Sequence, residues 1–405
     1  MKSSTSHLPS LFSSLLFIAA AMLFLSVAVV MGITALASLF TNQKVQAQQT
    51  IFLAISIFEV VLLLIATFVS IQRFRGQPFA AQDASFSITA WQVVISLIIA
   101  GIVIFIGYQF GAKDSVNWLL LPFLTLPAVA LPIFILLGLA IRGLPLGTRW
   151  RSWNIFGLGM TLSPFFLIFI EAFALFAILF VVVAFLMLQP NIAGDLERLS
   201  RQIVEIGPQS EEAITLFLPY LLNPGVIGIA LAYFAVFVPL IEEIFKPFGV
   251  WFYAKRLTSP AQGFALGALS GSAYALIETL GVSAQTADWG SLLLSRIGTG
   301  ILHVTTSALM GAAIFYALHD RQYSRLLGIY LLSVSMHGLW NALAILYSFS
   351  SLTEFVKQDN LLTGFQTPLI VSMSILAGLF LIILILSNRR MRATLPKPLL
   401  EEPVP

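Results

Sequence analysis

Ten apolar runs, each long enough to cross a bilayer as a helix, decide what this chain can fold into. They lie near residues 11–40, 51–71, 90–110, 118–141, 155–188, 224–253, 260–283, 291–318, 325–350 and 363–387. A hydrocarbon core is spanned by about 20 apolar residues in helical form. Every backbone N–H and C=O inside it must be satisfied within a helix or a closed barrel. Barrel strands would read as alternating segments of about ten residues, whereas these runs are continuous and longer. The fold class expected is therefore all-α: a polytopic integral membrane protein of about ten transmembrane helices. Composition agrees, since 10% of the residues are charged against ~25% in soluble proteins. The first run follows Lys2 and carries small residues at Ala35 and Ala37, as a signal peptide does. Its apolar stretch far exceeds the usual 7 to about 15 residues, so it reads as an uncleaved first helix.

Orientation follows from basic residues in the loops. With the N-terminus in the cytoplasm, fourteen of them, including Arg73, Arg149, Arg151, Lys255, Arg256, Arg389 and Arg390, fall on the cytoplasmic side. Five, namely Lys44, Lys113, Arg198, Arg201 and Lys357, fall on the other. Both termini are thus expected in the cytoplasm. The formal net charge of +3 gives no reason to expect nucleic acid as a partner, and the absence of cysteine removes disulfides, thiolate metal sites and a cysteine nucleophile.

The organisation expected has four parts. Residues 1–188 form a membrane scaffold of about five helices, whose spans are nearly bare of ionisable groups apart from Glu59 and Glu171. Residues 189–222 form an extracytoplasmic connection, in which Ile192, Leu196, Leu199, Ile203 and Ile206 recur at helical steps between charged residues; that is an amphipathic surface helix. Residues 223–350 hold four helices with the chemistry, a catalytic core in the C-terminal half. Residues 351–405 supply a last helix and a basic tail. Pro122, Pro127 and Pro132 are expected to kink the fourth span and Pro164 the fifth.

Within 223–350 the membrane receives Glu242, Glu243, Lys246, Glu278, Arg296, His303, His337 and Asn341. Ionisable groups in a bilayer core are expensive unless paired, neutralised or hydrated, so such a cluster is a functional-site hypothesis. At about 1.5 Å of rise per residue, Glu243 and His337 each lie roughly 18 Å from the cytoplasmic flank, and His303, Glu278 and Asn341 roughly 24 to 27 Å. One central slab can hold them all. Lys246 follows Glu242 by four residues and Glu243 by three, so its ammonium can reach either. It would hold one carboxylate ionised while the other takes a proton, since adjacent buried carboxylates resist ionising together. Pro239 and Pro247 remove backbone hydrogen bonds on either side of the pair. His337 and Asn341 share a helix face at i and i+4. Gly263, Gly267 and Gly271 form a small-residue stripe that lets another helix approach.

Hydrolysis uses such a set: a Glu takes a proton from water while His and Asn donors stabilise the oxyanion. His303, His337 and Glu243 could instead hold zinc, which would acidify a bound water. The familiar pair of His one helical turn apart is absent, so the spacing permits zinc without requiring it.

Taken in order, Glu242-Glu243-Ile-Phe-Lys246, then Ser-Ala-Tyr-Ala-Leu-Ile-Glu278 after a glycine-rich approach, then Arg296 seven residues before His303, then His337-Gly-Leu-Trp-Asn341 resemble the motifs of the PrsW-type intramembrane proteases. That family is grouped with the CAAX prenyl endopeptidases and bacteriocin-processing proteins. The resemblance covers about residues 225–345. It implies an endopeptidase acting on a membrane-embedded protein substrate, with Glu242 and Glu243 activating water and His303 and His337 completing the centre. Asn341 would donate to the oxyanion, and Lys246, Glu278 and Arg296 would support structure or orient substrate. Thr279 stands where the pattern often has Asn. Two other classes use similar residues: an ion-coupled transporter, against which the lack of an internal repeat counts, and a non-catalytic scaffold or chaperone of the same superfamily.

Overall fold

The structure is a computed structural model describing residues 7–41, 43–111, 113, 115–187, 190–207, 215–216, 222–284, 289–356 and 362–395. Among these residues it is all-α, with no strand. Ten helices are long and apolar enough to cross a membrane: Leu8–Phe40, Ala47–Phe74, Ala90–Gly111, Asn117–Ile141, Arg149–Phe180, Pro224–Arg256, Pro260–Ser283, Trp289–His319, Tyr323–Leu352 and Gln366–Ala393. They are called the first to tenth spans below. Large apolar side chains on their outer faces, such as Phe40, Phe123 and Phe180, are almost fully exposed, a surface suited to lipid. The chain is an integral multi-pass membrane protein.

Prolines mark where helices break and where they do not. The fourth span runs as one helix through Pro122, Pro127 and Pro132. The fifth stops at Met160 and restarts at Leu162, because Pro164 has no N–H for the Met160 carbonyl four residues earlier. The sixth span is the most broken. It runs as an α-helix over Pro224–Leu231, a π-helix over Ala232–Phe237, an α-helix over Val238–Phe245 and, past Pro247, a short α-helix over Phe248–Tyr253.

The helices fall into two compact units, one made of residues 1–164, 243–333 and 377–405, the other of 165–242 and 334–376. The core of the first unit is the pair of seventh and eighth spans. A Cβ placed on Gly263, Gly267 or Gly271 would stand 2.4 Å from the Gly311 carbonyl oxygen, 2.2 Å from that of Ser307 and 2.5 Å from that of His303. Only glycine lets the two backbones approach so closely, which is the packing that the stripe implies. Trp289, buried at the start of the eighth span, donates through Nε1 to Thr125 Oγ1 at 3.0 Å and anchors that span to the fourth. Asn388 of the tenth span donates to the carbonyls of Ala140 and Arg142 at 2.8 and 3.1 Å.

The second unit contains the amphipathic helix, Pro190–Ile206. Leu199 and Ile203 are buried against Leu216, while Ile206 is exposed; the side chains of Ile192 and Leu196 lie outside the described residues. Ion pairs Arg198–Asp195 and Arg201–Glu197 run along its polar face.

Candidate active site

Each unit assembles one part of the ionisable cluster. In the first, Lys246 pairs with Glu243: Nζ lies 2.8 Å from Glu243 Oε1, and both side chains are fully buried. The helix ends at Phe245 and Pro247 opens the next turn. Side chains then supply donors to the backbone there. Ser270 Oγ donates to the Lys246 carbonyl at 2.6 Å, and Trp251 Nε1 to the Ile244 carbonyl at 3.1 Å. The break that Pro247 creates is thus held in one geometry by the seventh span. An ion pair so placed persists only with good geometry, since removing one partner leaves an uncompensated charge.

Glu278 organises the rest of this unit's polar groups. Its Oε2 accepts from His303 Nε2 at 2.7 Å and forms an ion pair with Arg296, whose Nη2 lies 2.8 Å away. Arg296 also donates through Nε to Thr279 Oγ1 at 3.3 Å. Thr279, the departure noted in the sequence, therefore fixes the guanidinium. Arg296 stands seven residues before His303, two helical turns, so one carboxylate from the seventh span meets both on one face of the eighth. Tyr274 links the two groups of charges. Its ring lies 5.5 Å from Lys246 Nζ and meets the His303 imidazole edge-on with centroids 5.3 Å apart. The sequence reading passed over Tyr274; its position four residues before Glu278 was the signal that could have found it.

In the second unit Glu242 faces His337. Glu242 Oε2 lies 3.9 Å from His337 Nε2, and both residues are buried. Gly338, next to that His, packs on the π-helix so closely that a Cβ would stand 2.3 Å from the Ala235 carbonyl oxygen. Asn341 Nδ2 donates to the Phe234 carbonyl at 2.8 Å. The cause is Pro239. In the π-helix Val238 N–H bonds to the Tyr233 carbonyl, five residues back; in that register the Phe234 carbonyl would be served by residue 239, which has no N–H. Asn341 supplies it from the ninth span. Wide helical turns of this kind occur often at functional sites.

Of the eight residues expected at the site, Glu243, Lys246, Glu278, Arg296 and His303 thus belong to one unit and Glu242, His337 and Asn341 to the other. Glu242 and Glu243 are consecutive in one helix, Val238–Phe245, that serves both.

The model of the PrsW family intramembrane metalloproteases matches residues 149–379, more than half of the chain and including every residue just described. No curated protein and no solved structure matches. A family model covering that much of the sequence, with the buried Glu, His and Arg groups inside it, shows that the chain belongs to the PrsW family of intramembrane metalloproteases.

Proposed function

We propose that the chain hydrolyses a peptide bond of a membrane-embedded protein, with Glu242 as the group that takes the proton from water. The observation that carries this is the buried approach of Glu242 to His337 at 3.9 Å. That distance is too long for a hydrogen bond and suits one small bridging species. Glu243 is paired with Lys246, while Glu242 faces the imidazole of His337. As Glu242 accepts the proton, the water oxygen bonds to the scissile carbon and negative charge develops on the carbonyl oxygen. His337 donates toward that oxygen. Collapse of the tetrahedral centre breaks the C–N bond as the proton passes from Glu242 to the leaving nitrogen. Asn341, one of whose amide hydrogens is used by Phe234, holds the His337 helix against the π-helix.

The donor set also suits a metal. Of the zinc ligands expected from the sequence, His337 lies beside Glu242 in the second unit and His303 beside Glu278 in the first; two imidazoles and a carboxylate are a usual catalytic combination. Glu243, the carboxylate expected from the sequence, is taken by Lys246. The contact of His303 Nε2 with Glu278 is the second-shell arrangement that metal-bound imidazoles show. A bound zinc would lower the pKa of water and polarise the scissile carbonyl.

In this reading the basic loops and both termini face the cytoplasm and the Pro190–Ile206 helix lies outside; a cysteine at Glu205 in the otherwise cysteine-free chain should react with an impermeant reagent from outside. Membrane peptides compared between cells carrying the wild type and Glu242→Gln should show new termini, within or beside apolar segments, only with the wild type. A transport role would leave the two peptide sets identical.

A further inference from the structure

A groove of about 800 Å³ opens at the end of the first unit where the chain begins. Its walls come from the first span, the fifth span and the end of the sixth, and its size falls within the range of about 300–1,000 Å³ usual for ligand sites. One end is apolar, formed by Phe12, Leu16, Leu158 and Leu162. The other is polar, with Trp150, Asn154, Lys255 and Arg256.

Two observations point to an anion at the polar end. Trp150 Nε1 and Asn154 Nδ2 are donors on residues 5% and 2% exposed, and neither has a hydrogen-bond partner among the described residues. Asn154 spends its carbonyl oxygen on the Tyr253 hydroxyl at 2.9 Å. Buried donors without an acceptor are costly, so most are paired.

The second observation is charge. Arg73 lies 6.0 Å from the centre of the Trp150 ring, and Arg151 lies 5.7 Å from that of Tyr253 while donating to the Arg256 carbonyl. Together with Lys255 and Arg256 they make four cations, none in a salt bridge among the described residues. His7, whose ring meets Trp150 edge-on at 4.8 Å, feels the same field. Burial foremost, then Arg73 and Arg256, hold its imidazole below the ordinary histidine range.

We propose that this groove binds an anionic phospholipid, with the phosphate at Trp150, Asn154, Lys255 and Arg256 and an acyl chain along Phe12, Leu16, Leu158 and Leu162. The apolar wall is what separates this occupant from a free phosphate. The site stands apart from the Glu242–His337 chemistry and does not rest on it.

Native mass spectrometry on the full chain in a zwitterionic detergent tests the assignment, with dioleoyl phosphatidylglycerol, dioleoyl phosphatidylcholine and inorganic phosphate as probes. The wild type should retain phosphatidylglycerol in preference to phosphatidylcholine, and inorganic phosphate should not displace it at equal concentration. The exposed pair Lys255→Gln and Arg256→Gln should weaken phosphatidylglycerol on the order of 30-fold, about fivefold for each charge near an anionic headgroup. Ser13→Trp, which blocks the groove from its rim, should weaken it without altering charge. Equal retention of both lipids, unchanged affinity in both variants, or displacement by inorganic phosphate at equal concentration would overturn the proposal.

Discussion

Asn341 and Phe234 are joined by a side chain-to-backbone hydrogen bond of 2.8 Å in which the amide replaces the N–H that Pro239 lacks. The bond ties the helix bearing His337 to the helix bearing Glu242. Asn341→Ala should therefore cost about 1–3 kcal/mol, the penalty for leaving a carbonyl unpaired where lipid rather than water surrounds the helix, and lower cleavage with it. Pro239→Ala restores a backbone donor, so in that background Asn341→Ala should cost less. A double-mutant cycle on unfolding in detergent should show a coupling of about 0.5 kcal/mol or more. Strictly additive costs would mean that the two residues act independently.

Lys246→Met leaves Glu243 buried without its cation, at a cost of about 3–5 kcal/mol. The double change Glu243→Gln with Lys246→Met removes both charges and should recover most of that loss. Thermal unfolding of the three proteins distinguishes an ion pair from a lysine that merely fills space, for which the double variant would be no better than the single one.

The contrast between these two relationships shows what could be read in the sequence. Ten apolar runs named the ten spans, with ends that differ by at most eight residues, because hydropathy over about 20 residues is a property of the local chain. The break before Pro164 and the glycine stripe were equally legible, each being a local steric fact. The choice of Lys246 was not. It stands within reach of Glu242 and Glu243 alike, and Glu243 is its partner only once Pro247 has ended the helix and Ser270 has fixed the Lys246 carbonyl. Pairings between helices were less visible still. Glu278 with His303 and Arg296, Tyr274 between Lys246 and His303, and Asn341 with Phe234 depend on how spans rotate against one another. Pro239 was conspicuous in the sequence, but the residue that compensates for it lies 102 positions away.

Metal content separates the two forms of the proposed chemistry. If His303 and His337 hold zinc as the sequence suggests, the purified wild type should carry about one ion per chain, and His337→Ala should lose it while keeping the fold, because a catalytic zinc site tolerates loss of a ligand poorly. Glu278→Gln should weaken zinc by about 10–100-fold through its contact with His303. Active protein without bound metal would leave Glu242 as the base acting alone.

In the proposed reaction Glu242, facing His337 across 3.9 Å, carries out proton transfer in peptide hydrolysis. The most direct measurement is single-turnover cleavage of a membrane-spanning substrate by the protein reconstituted in liposomes, with Glu242→Gln beside the wild type. The glutamine keeps size and polarity but cannot take the proton, so the rate should fall by about 10²-fold or more, with the thermal unfolding midpoint little changed. A folded Glu242→Gln protein that cleaves at the wild-type rate would mean that Glu242 does not take the proton.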